Sequence, residues 1–156
     1  MTMNRMLSGG FKLGTFSTNC SSGMTPTQAP DRWVNSWDNN LKLAKLLDAA
    51  GIDFMLPIAR WIGYGGPTDF HGGVLETMTW AAGLLANTQN LTVFATIHTT
   101  ANHPVVVAKQ IATIDQIGHG RTGLLKDQWS ARLVRTTEAS SGQVAPWSIQ
   151  ARSVAI

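Results

Sequence analysis

Histidine and cysteine side chains are the first candidates for chemistry in this sequence of 156 residues. Zinc sites need such ligands at defined local spacings, such as H-x-x-x-H or H-E-x-x-H. None of the four histidines, His71, His98, His103 and His119, has a partner at those spacings, so the sequence predicts no metal site. Cys20 is the single cysteine, and neither a triad nor a G-x-S-x-G elbow accompanies it. A cysteine or serine nucleophile is therefore not indicated.

A loop rich in glycine and aromatic residues, ARWIGYGGPTDFHGG at 59–73, offers a different kind of site. Glycine lets a backbone approach a ligand closely, although the same residues also make ordinary flexible turns. Arg60 directly follows an apolar segment, and a guanidinium there could hold an anionic cofactor group by paired hydrogen bonds. The alternative is a surface ion pair with Asp53 or Asp69. The residues alone leave both interpretations open.

Three strand–loop–helix units must position these side chains. The pattern predicts strands at Phe11–Ser17, Ile52–Ile58 and Leu91–His98, with a fourth beginning at Arg121–Leu125. It predicts helices from a cap at Asp31 to Gly51, from Val74 to Asn87, and from Pro104 to about Ile117. His98 therefore ends the third strand, whereas His103 stands at a helix entry.

Repeated strand–helix units indicate parallel strands joined by right-handed crossovers. This pattern fits either a doubly wound sheet or part of a (β/α)8 barrel. The G-x-G-x-x-G fingerprint of a doubly wound dinucleotide binder does not follow the first strand. A full barrel needs about 250 residues, so we predict an α/β fold that supplies the N-terminal half of a TIM barrel. The loops after the strands would then gather at the C-terminal face, where the active sites of such barrels form.

Composition narrows the class of protein further. Apolar residues make up 44% and charged residues 13% of the sequence, which suits strands covered on both faces. The sequence has no run of 18 apolar residues and no secretory signal, and one cysteine is compatible with a reducing compartment. We therefore predict a cytoplasmic protein with no membrane partner. The net charge of +3 comes without a basic stripe and interleaved aromatics, so no nucleic-acid partner is expected.

The sequence changes character after Leu125. Residues 126–156 contain seven Ser or Thr and two Trp, with no sustained apolar period. Such a segment buries too little apolar surface to offset its ordering entropy. We therefore predict two parts, a partial barrel at 1–125 and an irregular C-terminal tail at 126–156.

A family resemblance rests on two segments. HPVVVAKQIATIDQIGHGRTGL at 103–124, preceded by VFATIHTTAN, closely resembles the bacterial luciferase-like family of flavin-dependent monooxygenases. DFMLPIARWIGYGG at 53–66 looks like the group that contains pyrimidine oxygenase and the dimethylsulfone and alkanesulfonate monooxygenases. The resemblance covers Lys12 to about Leu124. It implies a TIM barrel, reduced FMN, molecular oxygen as oxidant, a small organic substrate and a separate NAD(P)H:flavin reductase.

The resemblance also implies site residues. Ala59 and Arg60 match positions that contact FMN in the pyrimidine oxygenase. By their strand positions, Thr96 and His98 would lie near the isoalloxazine ring, and His98 is the candidate for a catalytic residue. Phe16, at the end of the first strand, would wall the substrate pocket.

The sequence departs from the family at one informative position. Family members usually continue G-R-x-G-[LV]-N-[IV]-V-x-G-W, and here Leu125 stands where the flavin-binding Asn would be. We hypothesise a reading-frame shift near codons 124–125. The tail residues that match nothing in the family include Gln128, Trp129, Arg132, Arg135 and Trp147.

Three interpretations of function follow from the resemblance. The first is a truncated FMN-dependent monooxygenase. The second is a reductase of the same fold that uses flavin or deazaflavin (F420) to transfer hydride. Oxygen uptake in the presence of reduced FMN would distinguish the first interpretation from the second. The third is an inactive half barrel that binds flavin or a partner. A half barrel exposes two sheet edges and an uncovered interior face, so either poor solubility or self-association into a homo-oligomer is expected.

Overall fold

The computed structural model describes residues 5–7 and 9–127. Most of the predicted tail, with Gln128, Trp129, Arg132, Arg135 and Trp147, lies outside the described residues. A short 3-10 helix at Arg5–Leu7 precedes the sheet. The remaining elements, in chain order, are β1 (Gly14–Phe16), α1 (Trp37–Ala49), β2 (Phe54–Leu56), α2 (Thr77–Ala86), β3 (Thr92–His98), α3 (Pro104–Gly118) and β4 (Thr122–Asp127).

The four strands form one parallel sheet in the order β1-β2-β3-β4. Thr15 pairs with Met55 and Met55 pairs with Val93, so the strands are in step across the sheet. A doubly wound sheet would reverse its strand order at a switch point, whereas sequential order is that of a barrel wall. The α/β prediction is confirmed, and the sheet is part of a barrel. β4 continues to Asp127, two residues beyond the predicted boundary.

The outer face of the sheet carries the hydrophobic core. Side chains alternate between faces along a strand, and the buried Met55, Val93 and Ala95 contact the helices. From α2 the fully or almost fully buried core residues are Trp80, Ala81, Leu84 and Leu85. The Trp80 indole also donates a 2.9 Å hydrogen bond to Asn40 Oδ1 of α1. The helices are therefore fixed to one side of the sheet.

The inner face of the sheet carries aromatic rings over glycines. Phe54 and Phe94 meet edge to face with ring centroids 5.8 Å apart. A Cβ atom at Gly14 would collide with the Phe54 ring, and one at Gly123 would collide with the Phe94 ring. Glycine is needed at both positions because each ring occupies the space that a Cβ atom on the neighbouring strand would fill.

Helix α1 begins later than its sequence pattern predicts. Its N-cap is Ser36, whose hydroxyl accepts a 3.2 Å hydrogen bond from the Asn39 amide, so the predicted cap at Asp31 is wrong. The indole of Trp33 donates to the Thr18 carbonyl at 2.8 Å, and Arg32 donates to the Thr68 carbonyl at 3.0 Å. These tertiary bonds hold the preceding segment outside the helix and override its local spacing.

The other helices lie close to their predicted ranges. Glu76 caps α2, since its carboxylate accepts hydrogen bonds from the amides of Met78 and Thr79. His103 caps α3 through a 3.3 Å bond from the Val105 amide, with proline in the first turn. None of the helices described in residues 5–127 is long and apolar enough to cross a bilayer.

The edge formed by the amino ends of the strands, called here the lower edge, is tied by a buried arginine. The Arg121 guanidinium makes four hydrogen bonds: to the carbonyls of Leu85, Thr88 and Leu91, and to the Thr88 hydroxyl. Burial lowers the pKa of Arg121, and the charge of Asp48 opposes that effect. An arginine remains charged under such conditions, so this cation joins α2, β3 and β4.

Asp48, at the end of α1, completes the lower edge. Its carboxylate accepts hydrogen bonds from three successive amides, Gln89, Asn90 and Leu91, at 2.7 to 2.8 Å. Burial acts to raise the pKa of Asp48, but these bonds and the charge of Arg121 together lower it below its ordinary value of 3.8. The carboxylate therefore holds the turn that leads into β3.

Candidate functional site

Three loops follow the carboxyl ends of the strands and form the upper edge. They are loop 1 (17–36), loop 2 (57–76) and loop 3 (99–103). In a barrel this edge is where ligands and reactants meet. The described residues in loops 1 and 2 include four non-glycine residues with positive φ, namely Ser17, Ser22, Asp69 and His71. Such conformations are costly and concentrate at functional sites, which directs attention to this edge.

Arg60 lies in loop 2, four residues after β2 ends. Its guanidinium carbon lies 4.1 Å from the centroid of the Tyr64 ring, and one terminal nitrogen donates a 2.8 Å bond to the Tyr64 hydroxyl. Asp53 instead accepts a 2.9 Å bond from the Leu13 amide. Nε of Arg60 is buried and has no hydrogen-bond partner within residues 9–127. Arg60 is thus oriented by an aromatic ring and retains a donor for a ligand.

Thr96 and His98 lie at the upper end of β3, on the inner face. Thr96 is paired in register with Leu125 of β4, which places these two residues on the same face. The Thr96 hydroxyl donates to the Pro57 carbonyl at 3.3 Å. The hydroxyl proton of Thr96 is therefore donated to loop 2, and its oxygen can still accept a hydrogen bond.

Trp61 of loop 2 covers the end of β3. Its ring centroid lies 6.3 Å from that of His98. His98 is only 3% exposed, whereas Trp61 is 60% exposed. Loop 2 therefore brings Ala59 and Arg60 to the same edge as Thr96 and His98.

Phe16 ends β1 on the inner face and is 47% exposed. Its register partner on β2 is Leu56, so the two side chains share that face. An exposed aromatic ring at this edge suits contact with an apolar ligand. Phe16, Thr96 and His98 therefore occupy one end of one face of the sheet.

His71 connects loops 1 and 2, a role that its position in the sequence does not reveal. Its Nε2 lies 2.6 Å from the Gly23 carbonyl and 3.3 Å from the Ser17 hydroxyl, which also donates to Gly23. A carbonyl only accepts, so Nε2 carries the hydrogen. Burial lowers the pKa of His71 and the nearby Arg60 charge lowers it further, although the bond to Gly23 opposes both. His71 is therefore a neutral, structural histidine at neutral pH.

Asn19 is the second residue at this edge that the sequence does not single out. Its side chain is fully buried and bonds the backbone of Ile58 and of Leu75. The one signal in the sequence is the unusual length of loop 1, since long loops in compact domains are often functional. Nothing in the letters S-T-N-C distinguishes this asparagine from a surface turn residue.

Cys20 next to it is not a nucleophile. Its side chain is fully buried, and its backbone forms an isolated bridge with Val74. Burial raises the pKa of the Cys20 thiol to about 11, against smaller opposing effects from Ser17 and Arg60. A thiol with that pKa carries almost no thiolate at neutral pH.

The remaining histidines serve the helices. His103 caps the start of α3, and His119 adopts a left-handed conformation at its end. Among residues 5–7 and 9–127, no group of three or more His, Cys, Asp or Glu residues is arranged to hold a metal ion. The upper edge offers an organic ligand the Arg60 cation, buried hydroxyl and imidazole groups, and aromatic rings.

Comparisons with known proteins agree with this architecture. The family model of luciferase-like monooxygenases matches residues 11–125. The pyrimidine monooxygenase RutA of Acinetobacter baylyi is 34% identical over 113 residues, covering 72% of this chain and 31% of that protein. RutA of Methylorubrum extorquens is 33% identical over 112 residues, covering 72% of this chain and 30% of that protein. The chain thus spans about a third of the length of the curated relatives it matches.

Solved structures show the same fold. Riboflavin lyase RcaE aligns with a TM-score of 0.69 at 22% identity, covering 86% of this chain and 33% of that chain. Monooxygenase RslO1 from Streptomyces bottropensis aligns with a TM-score of 0.64 at 18% identity, covering 82% and 36%. The FMN complex of 3,6-diketocamphane monooxygenase from Pseudomonas putida aligns with a TM-score of 0.58 at 19% identity. That alignment covers 82% of this chain and 32% of the monooxygenase chain. The predicted family is confirmed: this chain belongs to the luciferase-like monooxygenases.

Proposed function

We propose that residues 11–125 are the N-terminal half barrel of a reduced-FMN-dependent monooxygenase. Its reaction would insert one oxygen atom of O2 into a small organic substrate. The observation that carries the proposal is the upper edge, where Phe16, Thr96 and His98 share the inner face. Loop 2, which carries Arg60, reaches this edge through the Trp61–His98 ring pair. Family membership, relatives named pyrimidine monooxygenase and an FMN-bound structural neighbour support it.

The residues present fit a flavin mononucleotide in two respects. Its phosphate is an anion, and Arg60 has a buried Nε donor without a partner in the described part of the chain. Its ring system is a large aromatic surface with an apolar dimethylbenzene end, and the inner face presents Phe16, Phe54 and Phe94. Leu125 adds apolar contact on the same face but has no hydrogen-bonding group, unlike the Asn that the family places there.

Each residue then has a stated task. Reduced FMN, when bound, supplies the two electrons that activate O2. Arg60 would bind an anionic group of the cofactor, with Ala59 beside it in loop 2. Thr96 and His98 would border the ring, and Phe16 would contact the substrate. Trp61 would exclude water from the imidazole of His98.

A titration of the purified 156-residue chain with FMN tests the proposal. We expect saturable binding, with Arg60→Ala weakening FMN affinity by about tenfold because a charge-assisted hydrogen bond to phosphate is lost. Riboflavin, which lacks the phosphate, should bind both proteins alike. Arg32→Ala is the matched control, since Arg32 is an exposed loop arginine that donates only to carbonyls. The absence of saturable flavin binding by the unaltered chain would overturn the proposal.

Turnover separates the oxygenase from its alternatives. A reduced-flavin oxygenase should consume O2 when a separate NAD(P)H:flavin reductase supplies reduced FMN. Hydride exchange with F420 without oxygen uptake would favour the reductase interpretation. Flavin binding without either reaction would favour an inactive binding module.

We also propose that the family sequence ends near Leu125 and that residues 126–156 are a frame-shifted tail. The family match over residues 11–125 supports this. Nucleotide sequencing around codons 124–125 is the test. The alternative frame should encode a continuation close to N-I-V-x-G-W, and a frame without one refutes the frameshift.

We propose, finally, that the chain self-associates. β1 and β4 are the edges of the described sheet, so each has one row of backbone donors and acceptors without a strand beside it in residues 9–127. Exposed apolar side chains on and around these strands include Leu13, Phe16, Leu124 and Leu125. Size-exclusion chromatography with light scattering should therefore give a mass above that of one chain, and a monomer at all concentrations would disprove it.

A further inference from the structure

Asn19 stands out among the buried polar residues of the upper edge. It lies in loop 1, three residues after β1, and its side chain has no exposed surface. It nevertheless contacts the start of loop 2 and the residue before the cap of α2. We propose that Asn19 is a positioning residue that fixes the backbone from which Arg60 projects, an inference that rests on the proposed flavin site.

The bonds of Asn19 hold one residue of loop 2 from both sides. Its Nδ2 donates to the Ile58 carbonyl at 2.9 Å, and its Oδ1 accepts from the Ile58 amide at 2.9 Å. The second hydrogen on Nδ2 goes to the Leu75 carbonyl at 3.1 Å. Cys20 Sγ lies 3.6 Å from Oδ1. The amide group is thus fully used by the protein.

Ile58 needs this partner because the sheet no longer provides one. The β1–β2 pairing ends at Phe16 and Leu56, and the last bond on that side runs from the Ser17 amide to the Leu56 carbonyl. Asn19 therefore continues the pattern by presenting a side-chain amide where a neighbouring strand would present a peptide. A side-chain amide can do this because it carries both a donor and an acceptor.

Arg60 follows Ile58 by only two residues. Proline at 57 fixes one backbone angle of its own, and its carbonyl accepts the bond from Thr96. Because Asn19 also holds Ile58, only the backbone of Ala59 lies between a fixed residue and Arg60. Small displacements of a binding group have large effects on affinity, so losing the Asn19 bonds should displace the guanidinium.

Asn19→Asp is the most informative variant. It preserves the shape and the acceptor, but it replaces the two donated bonds with oxygen facing the carbonyls of Ile58 and Leu75. Asp48→Asn is the matched control, because it alters a partly buried polar group with several backbone partners at the lower edge. Any general loss of stability appears in both variants, and thermal unfolding sets a temperature at which each is folded.

A double-mutant cycle separates positioning from a merely structural role. Asn19→Asp should weaken FMN binding by about tenfold in the unaltered chain. In the Arg60→Ala background it should weaken binding by less than about twofold, because the group it positions is absent. Asp48→Asn should leave FMN affinity within about twofold in both backgrounds. Equal losses from Asn19→Asp with and without Arg60 would overturn the inference.

Amide hydrogen exchange gives a second readout that needs no flavin. Asn19→Asp should speed amide exchange across residues 59–64, because the carboxylate repels the Ile58 carbonyl and releases this part of loop 2. Asp48→Asn should instead speed exchange at residues 89–91. If the unaltered chain binds no flavin, the proposed function fails, and the role of Asn19 is then judged from exchange alone. Unchanged protection of residues 59–64 in the Asn19→Asp variant would then refute the positioning role.

Discussion

The two edges of the sheet differ in how some of their polar groups are paired. At the lower edge the Arg121 guanidinium and the Asp48 carboxylate are bonded to several backbone groups each. At the upper edge Thr18, Ser22 and Arg60 each bury a polar atom that has no hydrogen-bond partner within residues 9–127. Satisfied groups stabilise a fold, whereas unsatisfied ones are costly unless a ligand or solvent completes them. The Arg121 and Asp48 bonds therefore stabilise the fold, whereas binding at the upper edge remains a proposal.

Arg121 gives the strongest test of this comparison. Arg121→Met should lower the free energy of unfolding by about 3 to 4 kcal/mol, because it leaves three buried carbonyls unpaired and removes the counter-charge of Asp48. Urea denaturation is the measurement. Lys45→Met, an exposed cation on α1, should change stability by less than about 0.5 kcal/mol. An equal effect of both substitutions would contradict the role given to the lower edge.

Asp48 should give the next largest effect. Asp48→Asn replaces one accepting oxygen with a donor and removes the charge, for an expected loss of about 2 kcal/mol in the free energy of unfolding at neutral pH. The lowered pKa of Asp48 means that its contribution is complete above the ordinary value of 3.8 and is lost as the pH falls below it. Denaturation between pH 3 and pH 7 should show this slope in the unaltered chain and in the control variant, but not in Asp48→Asn. The control is Asp38→Asn on the exposed first turn of α1.

His71 tests the upper edge, where the expected effect is smaller. Its pKa is lowered in the folded protein, so the unfolded chain binds more protons just below the ordinary value of 6.5. Stability should therefore be complete above that pH and decline as the pH falls from it toward the lower folded pKa. His71→Gln should cost about 1 kcal/mol at pH 7.5 and remove this slope. His119→Asn, an exposed lower-edge control, should keep it, and a slope that survives His71→Gln would assign it to another group.

Trp61 should have the smallest effect on stability. Trp61→Ala should change the free energy of unfolding by at most about 0.5 kcal/mol, because the indole is mostly exposed. It should still uncover His98, whose ring it contacts. Modification of histidine by diethylpyrocarbonate, mapped by mass spectrometry, should therefore become faster at His98 and stay constant at His119. No change at His98 would show that other residues cover it.

The sequence predicted the elements better than it predicted their ends. Residue composition and helical spacing predicted the four strands and three α-helices of the described residues, because such patterning is local. The short 3-10 helix at Arg5–Leu7 was not predicted. The start of α1 was wrong, since Trp33 and Arg32 bond to residues of loops 1 and 2 that a local pattern does not contain. Ala59, Arg60, Thr96, His98 and Phe16 lie at one edge of the sheet, and their roles toward a flavin stay predictions.

The sequence by itself determined the family, the parallel α/β order and the edge at which the predicted site residues lie. The family follows from the resemblance of two segments. The order and the edge follow from local patterning and from strand direction, which sends every loop after a strand to the same edge. Only the tertiary structure decided which buried polar residues matter. Asn19, His71, Asp48 and Arg121 bond to backbone groups 30 to 56 residues away along the chain. A hydrogen bond depends on proximity in space, and no local pattern of residue types specifies it.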